Sequence, residues 1–331
     1  MLTPPVRILS NRHMMSLIDW PAFLEASHTA FRHFSAGLSN SPNRLRLMLR
    51  DGRRFAVMPG ADPGSGALGA KLIGYYPDNP RHGFARVTGA YMLFDPVTGL
   101  PLALMEGALL TNLRTAAGAV VAARVLAPQG WRRLGIIGSG GLASMSAQAF
   151  LATDTPAQIC LYSRTVANLG RFAADLHAWS GAKITACRTP EEVVQGADVI
   201  VCGTDTQVPV FDGTALQGGG LVISLGANTP GTRELDLATM LAGRIFVDSR
   251  TAVLAECGEV IIPQKQGKLP ADPLSAELGE VLNGKRLGRL EASEALVFLS
   301  TGLAVQDALT AQVIYARAVQ QGIGTVAPLF E

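Results

Sequence analysis

The chain has 331 residues, which is enough for two domains, and its hydrophobic content of 48% is ample for buried cores, so it is not an intrinsically disordered protein. The 28 Lys and Arg residues against 26 Asp and Glu give a formal charge of +2, and the basic residues are scattered, so we expect no nucleic-acid partner. Apolar runs end before the ~18 residues that a membrane span needs, and residues 1–12 lack a signal-peptide pattern. We therefore expect a cytoplasmic protein that does not bind membranes.

The first third of the chain predicts mainly antiparallel structure. Apolar residues at helical spacing favour one helix, and alternating runs favour strands. The predicted elements are a helix over about 17–36 and strands over 44–58, over 67–74 and within 87–106. The segment Asp95-Pro-Val-Thr-Gly99 interrupts the last of these and predicts a hairpin turn.

From about residue 111 onward, strand-like and helix-like segments alternate. The predicted strands are 133–137, 159–162, 183–187, 198–202, 221–225 and 244–248, and the predicted helices are 115–125, 144–151, 167–180 and 190–196. Such alternation is typical of a doubly wound parallel sheet, so the fold class is α/β of the Rossmann type. A final helix over 302–321 has no following strand with which to alternate.

A glycine-rich turn follows the strand 133–137. It reads Gly138-Ser-Gly140-Gly-Leu-Ala143, a G-x-G-x-x-A pattern between a strand and a helix. The first glycine permits the tight turn, the second permits close approach of a pyrophosphate, and the alanine permits close packing of the helix. The predicted dinucleotide site comprises Gly138, Ser139, Gly140, Gly141 and Leu142.

The end of the next strand indicates which dinucleotide is preferred. An NAD site usually holds Asp or Glu there, whereas this strand is followed by Ser163, Arg164 and Thr165. A guanidinium and two hydroxyls suit a 2′-phosphate. We therefore expect NADPH, with NADH possible; the alternative is that Arg164 caps a surface turn.

Six further motifs are spread over nearly the whole chain. They are Val57-Met-Pro59, Ala70-Lys-Leu-Ile-Gly-Tyr-Tyr76, Arg114-Thr-Ala-Ala117, Pro230-Gly-Thr-Arg-Glu-Leu-Asp236, Ala276-Glu-Leu-Gly-Glu-Val281 and Ser300-Thr-Gly-Leu-Ala-Val-Gln-Asp307. With these motifs and the glycine-rich turn, the chain resembles the ornithine cyclodeaminase/mu-crystallin family. The resemblance implies a homodimer with an α+β substrate-binding and dimerisation domain over 1–116 and 303–331, to which the last helix returns, and a Rossmann domain over 117–302.

The resemblance also implies redox chemistry at the nitrogen-bearing carbon of an α-amino or α-imino acid. Holding an α-carboxylate for hydride transfer calls for forked cations, and Arg44 and Arg114 match the family's positions. Arg46 shares a strand face with Arg44 and is an alternative. Arg114 lies in an otherwise apolar stretch, where a buried arginine without an anionic partner would be costly, so we expect it to bind the ligand.

Three further polar residues receive predicted roles. Lys71 lies on an apolar strand and matches the family, so we expect it to hydrogen-bond the substrate and to exchange a proton as the catalytic residue; the alternative is a strand-edge charge that blocks aggregation. Thr88 is expected to contact the substrate, and Ser300 the cofactor. Asp307, near the start of the last helix, is either structural or functional.

Position 228 separates two reactions. In members resembling ornithine cyclodeaminase, the residue two before the Pro-Gly pair is an aspartate, whereas this chain has Asn228 before Pro230-Gly231. Cyclodeamination calls for a proton acceptor and a counter-charge, and an amide supplies neither. With no carboxylate identified at the site, we expect NAD(P)H-dependent reduction of a cyclic or α-imino acid, of the pyrroline- or piperideine-2-carboxylate type, to an L-amino acid, with Asn228 binding the substrate.

Two alternatives stay open. One is an ornithine cyclodeaminase or an alanine-type L-amino-acid dehydrogenase that uses the same residues. The other is a non-enzymatic binder of NADPH and a small ligand, which the retention of Lys71 and both arginines argues against. The spacing of the four cysteines and five histidines predicts no metal site.

Overall fold

The computed structural model describes residues 5–329, and these divide into two units. The first unit comprises the described residues up to Arg114 and from Leu303 onward, and the second is Thr115–Gly302. The first boundary therefore lies two residues before the predicted one at 116, and the second lies at the predicted position. The outermost residues of the predicted first domain, 1–4 and 330–331, lie outside the described residues.

Strands and helices of both units are numbered together along the chain. The strands are β1 Val6–Leu9, β2 Leu45–Met48, β3 Arg54–Asp62, β4 Ala67–Tyr75, β5 Val87–Phe94, β6 Pro101–Glu106, β7 Arg133–Ile137, β8 Gln158–Tyr162, β9 Ile184–Ala186, β10 Val199–Cys202, β11 Leu221–Ser224, β12 Gly243–Val247, β13 Leu274–Glu277, β14 Ala295–Leu299 and β15 Thr325–Ala327. The α-helices are α1 Asn11–Met15, α2 Trp20–Ser35, α3 Gly107–Leu126, α4 Gly141–Thr153, α5 Val166–Ser180, α6 Pro190–Val194, α7 Leu237–Leu241, α8 Arg250–Glu256, α9 Gly258–Lys265, α10 Leu278–Leu282 and α11 Ala304–Gln321.

A seven-stranded sheet forms the first unit, in the order β15-β1-β6-β5-β4-β3-β2. All of its pairs are antiparallel except β1 with β6, as the alternating pattern of this region predicts. Helix α11 packs on α2, β3 and β4. A Cβ on Gly60 would lie 2.6 Å from the backbone of Ala304, so this glycine permits the start of α11 to approach β3 closely.

The second unit holds an eight-stranded sheet in which every pair is parallel. The order is β13-β12-β14-β11-β10-β7-β8-β9. The strand order reverses beside β7, the strand that leads into the glycine-rich turn. This is the doubly wound topology in which ligands bind at the carboxyl ends of the strands, and it confirms the predicted fold class.

One prediction of local structure is wrong, and four strands were not predicted. The predicted strand over 44–58 is a hairpin of β2 and β3, because Asp51 (φ 58°) and Gly52 (φ 71°) turn the chain. An Asp-Gly pair between apolar runs is a hairpin signal that the strand prediction overlooked. The strands β1, β13, β14 and β15 were not predicted, and β14 lies between β11 and β12 in its sheet.

Helix α3 is the one helix among residues 5–329 that is long and apolar enough to cross a membrane by length and composition. Of its most apolar stretch, 78% is buried inside the structure. It also carries Arg114 and Arg124. Burial of this extent is typical of the core helix of a folded protein.

Candidate active site

A cluster of buried charges forms in the first unit between β4, α3 and α11. Lys71 pairs in register with Met58 on β3 and with Tyr91 on β5, so these three residues share one face of the sheet, called here the inner face. Asp307, in the first turn of α11, lies against Lys71 on this face. Lys71 is only 1% exposed and Asp307 is fully buried.

The Asp307 carboxylate bridges two cations. Lys71 Nζ donates to Asp307 Oδ1 at 2.9 Å and lies 2.7 Å from Oδ2, and Arg114 Nε donates to Oδ1 at 3.2 Å. Arg114 Nη1 makes a long bond of 3.5 Å to Gln306 Oε1, and Arg114 Nη2 has no hydrogen-bond partner within residues 5–329. The guanidinium thus keeps donor capacity that a bound carboxylate can use.

Burial and the neighbouring charges change the pKa of Lys71. Burial lowers the pKa of Lys71 from 10.5 to about 7, Asp307 opposes this shift, and the positive charges of Arg114 and Arg44 add to it. An amine with a pKa near 7 is present in both protonation states at neutral pH. Register puts Arg46 of β2 opposite Ala56 on the inner face, and Arg44 directly precedes β2. The charge of Arg44 acts on Lys71, and the choice between Arg44 and Arg46 as a carboxylate ligand stays a prediction.

Asp307 changes two expectations drawn from the sequence. The expectation of a site with three positive groups and no carboxylate is wrong, because Asp307 pairs with both Lys71 and Arg114. The burial of Arg114 does not by itself indicate a bound ligand, because Asp307 supplies the anionic partner that a buried arginine requires. Its spacing of 193 residues from Asp307 in the chain hides this pairing from sequence reasoning.

Tyr91 was missed, and Thr88 lies elsewhere. Tyr91 is fully buried, its hydroxyl has no partner among the described residues, and burial together with the charge of Asp307 raises its pKa well above 10.0. Gly69 makes room for its ring, since a Cβ there would lie 2.2 Å from Tyr91 Oη. Thr88 pairs with Gly74, which puts it on the opposite face from Lys71, and it is exposed. Its role in binding the substrate stays a prediction.

In the second unit, the glycine-rich turn has the geometry of a phosphate cradle. Gly138 has a φ of 123°, and a Cβ there would lie 2.7 Å from Gly203 O, so only glycine fits. Gly140 is the N-cap of α4, and a Cβ on it would meet nothing within 4 Å. Gly141 is exposed, Leu142 is half-buried and Ala143 is buried. Open space over free amides at a helix N-terminus fits a dinucleotide pyrophosphate.

The residues after β8 extend this surface. Ser139 Oγ and Ser163 Oγ are hydrogen-bonded at 2.7 Å, which ties the glycine-rich turn to the end of β8. Arg164 and Thr165 are exposed, and Thr165 is the N-cap of α5. In the described part of the chain, Arg164 forms no hydrogen bond or ion pair. It is therefore available to a ligand, and the turn-capping alternative has no contact to support it.

Two other predicted residues lie in loops at the carboxyl ends of the same sheet. Ser300, after β14, donates to the buried carboxylate of Asp248 at 2.9 Å, and Gly302 N donates to the same oxygen at 2.6 Å. Ser300 thus holds the loop after β14 in place, and its contact with the cofactor stays a prediction. Asn228, after β11, is half-buried, and its N–H donates to Gly226 O at 3.1 Å.

The chain is similar to known proteins over nearly its whole length. Residues 7–322 match the ornithine cyclodeaminase/mu-crystallin family. The Delta(1)-pyrroline-2-carboxylate reductase of Bacillus cereus is 34% identical over 319 residues, which are 96% of this chain and 98% of that protein. The solved structure of the Thermococcus litoralis Delta(1)-pyrroline-2-carboxylate reductase, in complex with NADH and L-proline, is similar with a TM-score of 0.93 and 32% identity, over 97% of this chain and 99% of that one. An archaeal alanine dehydrogenase dimer with bound NAD has a TM-score of 0.92 and 28% identity, over 98% of this chain and all of that one.

Proposed function

The chain belongs to the ornithine cyclodeaminase/mu-crystallin family, and we propose that it is an NAD(P)H-dependent reductase of imino acids. Its substrate is a cyclic or α-imino acid of the pyrroline- or piperideine-2-carboxylate type, and its product is the corresponding L-amino acid. The observation that carries this proposal is the buried cluster of Lys71, Asp307 and Arg114, which joins a carboxylate-binding guanidinium to an amine with a pKa of about 7.

The chemistry assigns a separate task to each member of the cluster. Arg114 binds the substrate carboxylate through its remaining donors, and Arg44 adds a second positive charge. The Lys71 ammonium donates a proton to the imine nitrogen, and Asp307 keeps Lys71 oriented and favours its charged form. A reduced nicotinamide, when bound, supplies the hydride that the imine carbon accepts. One hydride and one proton together convert the C=N bond into a C–N amine.

We propose NADPH as the preferred cofactor over NADH. The support is Arg164, exposed beside Ser163 and Thr165, with no carboxylate among these residues to bind ribose hydroxyls. The relatives with solved structures bind NADH or NAD, so the preference rests on this loop alone.

We propose that the protein is a homodimer that pairs through the face of the first unit's sheet opposite to the inner face. Register puts Leu45, Val57 and Leu72 side by side on this face, with Leu47 in the next row. Leu45 is 63% exposed and Leu72 is 42% exposed, which is unusual for a sheet face in a monomer. A second copy is the occupant that the dimeric archaeal relative supports. Light scattering should give twice the chain mass, and Leu72→Glu should give a monomer.

Asn228 argues against cyclodeamination of ornithine. The cluster does contain one carboxylate, Asp307, but it is already paired with two cations. It therefore offers no free counter-charge to a cationic substrate side chain. A neutral ring carries no such requirement.

The test is oxidation of the reduced cofactor with pyrroline-2-carboxylate or piperideine-2-carboxylate. The expected products are L-proline or L-pipecolate, and Lys71→Ala should slow the reaction by roughly tenfold or more. Lys183→Ala, which removes an exposed lysine, is the matched control and should keep full activity. A protein that binds cofactor yet turns over no imino acid would refute the proposed function.

A further inference from the structure

Two buried glutamates in the second unit lie outside the groups assigned above. We propose that Glu234 is a positioning residue that fixes the loops after β10 and β11 for cofactor binding, and that it does so fully only while its neighbour Glu259 holds a proton. This inference rests on the proposed dinucleotide site. Glu234 is fully buried and Glu259 is 1% exposed.

Five hydrogen bonds converge on the Glu234 carboxylate. Thr204 donates to Oε1 through its N–H and its hydroxyl, both at 2.6 Å. Oε2 accepts from Gly226 N at 2.7 Å, from Ser224 Oγ at 2.8 Å and from Leu225 N at 3.1 Å. One side chain therefore satisfies backbone donors of two separate loops, and no donor-bearing side chain can replace it.

These loops lie against the glycine-rich turn. A Cβ on Gly138 would meet Gly203 O at 2.7 Å and the Thr204 side chain at 3.3 Å. A Cβ on Gly203 would lie 3.3 Å from Ala143 N at the start of α4. A Cβ on Gly226 would lie 1.8 Å from Thr204 O, so the two loops are in direct contact. Displacement of Thr204 would thus shift the wall of the phosphate cradle.

Glu259 contacts the end of β11 and the loop that follows it. Its Oε1 accepts from Glu234 N at 2.8 Å and from Ser224 Oγ at 2.9 Å, and Cys257 Sγ lies 3.0 Å from Oε2. A Cβ on Gly258 would lie 2.0 Å from Thr232 O, so the start of α9 directly underlies the loop that carries Asn228.

The two carboxyl groups share one hydroxyl hydrogen. Ser224 has a single proton to donate, yet its oxygen lies within hydrogen-bond distance of both Glu234 and Glu259. The thiols of Cys202 and Cys257 also face the pair, and burial keeps them neutral by raising their pKa well above 9.0; Asp248 in turn acts on Cys257.

The proton of the pair is therefore assigned to Glu259. Burial raises the pKa of both carboxyls, and hydrogen bonds from Thr204, Gly226 and Ser224 counter this shift at Glu234. Burial and the charge of Glu234 raise the pKa of Glu259 to about 7. Above this pH a second negative charge faces Glu234, and the repulsion weakens its hold on the loops.

The experiment measures the Kd of NADH for the protein without substrate between pH 6 and 8.5. NADH is the probe because the 2′-phosphate of NADPH itself titrates near pH 6. The wild-type protein should bind NADH several-fold more weakly at pH 8.5 than at pH 6, and Glu259→Gln should bind with equal affinity throughout. Glu234→Gln should bind NADH tenfold or more weakly at every pH. Glu291→Gln, which removes an exposed carboxylate, should follow the wild type.

Each outcome decides a different claim. Wild-type affinity in folded Glu234→Gln, or a wild-type pH profile in Glu259→Gln, overturns the inference while leaving the cofactor site intact. If Glu234→Gln fails to fold, the profile of Glu259→Gln decides, because its neutral amide resembles the protonated carboxyl. Failure of the wild-type protein to bind NADH at all would instead refute the proposed cofactor site.

Discussion

Replacing Asp307 by Asn removes the anion on which the Lys71–Arg114 cluster depends. At an effective dielectric constant near 20, a unit charge pair at the observed 2.7–3.2 Å gains about 5–6 kcal/mol before the cost of desolvation. Deleting one partner of a buried pair costs about 3–5 kcal/mol. Because Asp307 raises the pKa of Lys71, removing the Asp307 charge lowers that pKa below about 7. Most of Lys71 is then a neutral amine at neutral pH.

The consequence for catalysis follows from the proton balance. Each unit by which the pKa of Lys71 falls reduces its ammonium fraction at pH 7 roughly tenfold, so we expect kcat/KM for imine reduction to fall roughly tenfold or more, but no further than in Lys71→Ala. Activity should recover partly toward pH 5.5, where Lys71 is protonated again.

The assay is the loss of reduced cofactor absorbance with pyrroline-2-carboxylate from pH 5.5 to 9. Asp175→Asn, an exposed aspartate, is the control. If Asp307 acts through Lys71, the double variant with Lys71→Ala should be no slower than Lys71→Ala alone. An Asp307→Asn protein with wild-type rate and an unshifted pH profile would refute the reasoning.

The other predictions address cofactor, stability and substrate. Gly140→Val should fold normally, since a Cβ there meets nothing within 4 Å, but should abolish dinucleotide binding measured by calorimetry; unchanged affinity would remove the assignment of the turn. Arg164→Ala should lower the ratio of kcat/KM for NADPH over NADH by roughly one to two decades, the loss of a charge-assisted contact of about 1.5–3 kcal/mol. The pKa of Glu259 is raised from 4.5 to about 7, so between these pH values the folded protein keeps the proton that the unfolded chain has released. The free energy of unfolding should therefore fall by up to about 3 kcal/mol between pH 4.5 and 7. Chemical denaturation of Glu259→Gln should not show this pH dependence. Finally, incubation with ornithine and NAD⁺ should release no ammonia at a rate comparable to imine reduction, and such release would show that Asn228 has been misinterpreted.

Local sequence signals predicted six of the eight strands of the second unit's sheet, β7 to β12. The glycine-rich turn lies between a strand and a helix as its spacing required, because Gly138 and Ala143 act on their immediate neighbours. The hairpin at 95–99 has the same local origin. By contrast, β14 joins the sheet between two strands that precede it in the chain, and a short apolar run carries no information on such an insertion.

The two cations of the charge cluster were predicted as site residues, whereas its anion was not. Lys71 and Arg114 lie in apolar segments, which marks a charged residue as unusual, whereas Asp307 lies at a helix start, where carboxylates are common. Tyr91 gave no signal, since a tyrosine on a buried strand is ordinary core. The expectation of an uncompensated positive site failed because partners 193 and 236 residues apart are invisible to spacing arguments.

The same separation determines when the cluster can form during synthesis. Lys71 and Arg114 leave the ribosome before any residue of the second unit, yet their common partner Asp307 lies 236 and 193 residues later. A nascent chain therefore carries Lys71 on β4 and Arg114 on α3 without their common anion until α11 emerges and packs on the sheet. Such long-range closure slows folding, and the open inner face is exposed to misassembly in the interval. The first unit, most of whose strands are synthesised first, can therefore finish folding only after the second unit has been synthesised.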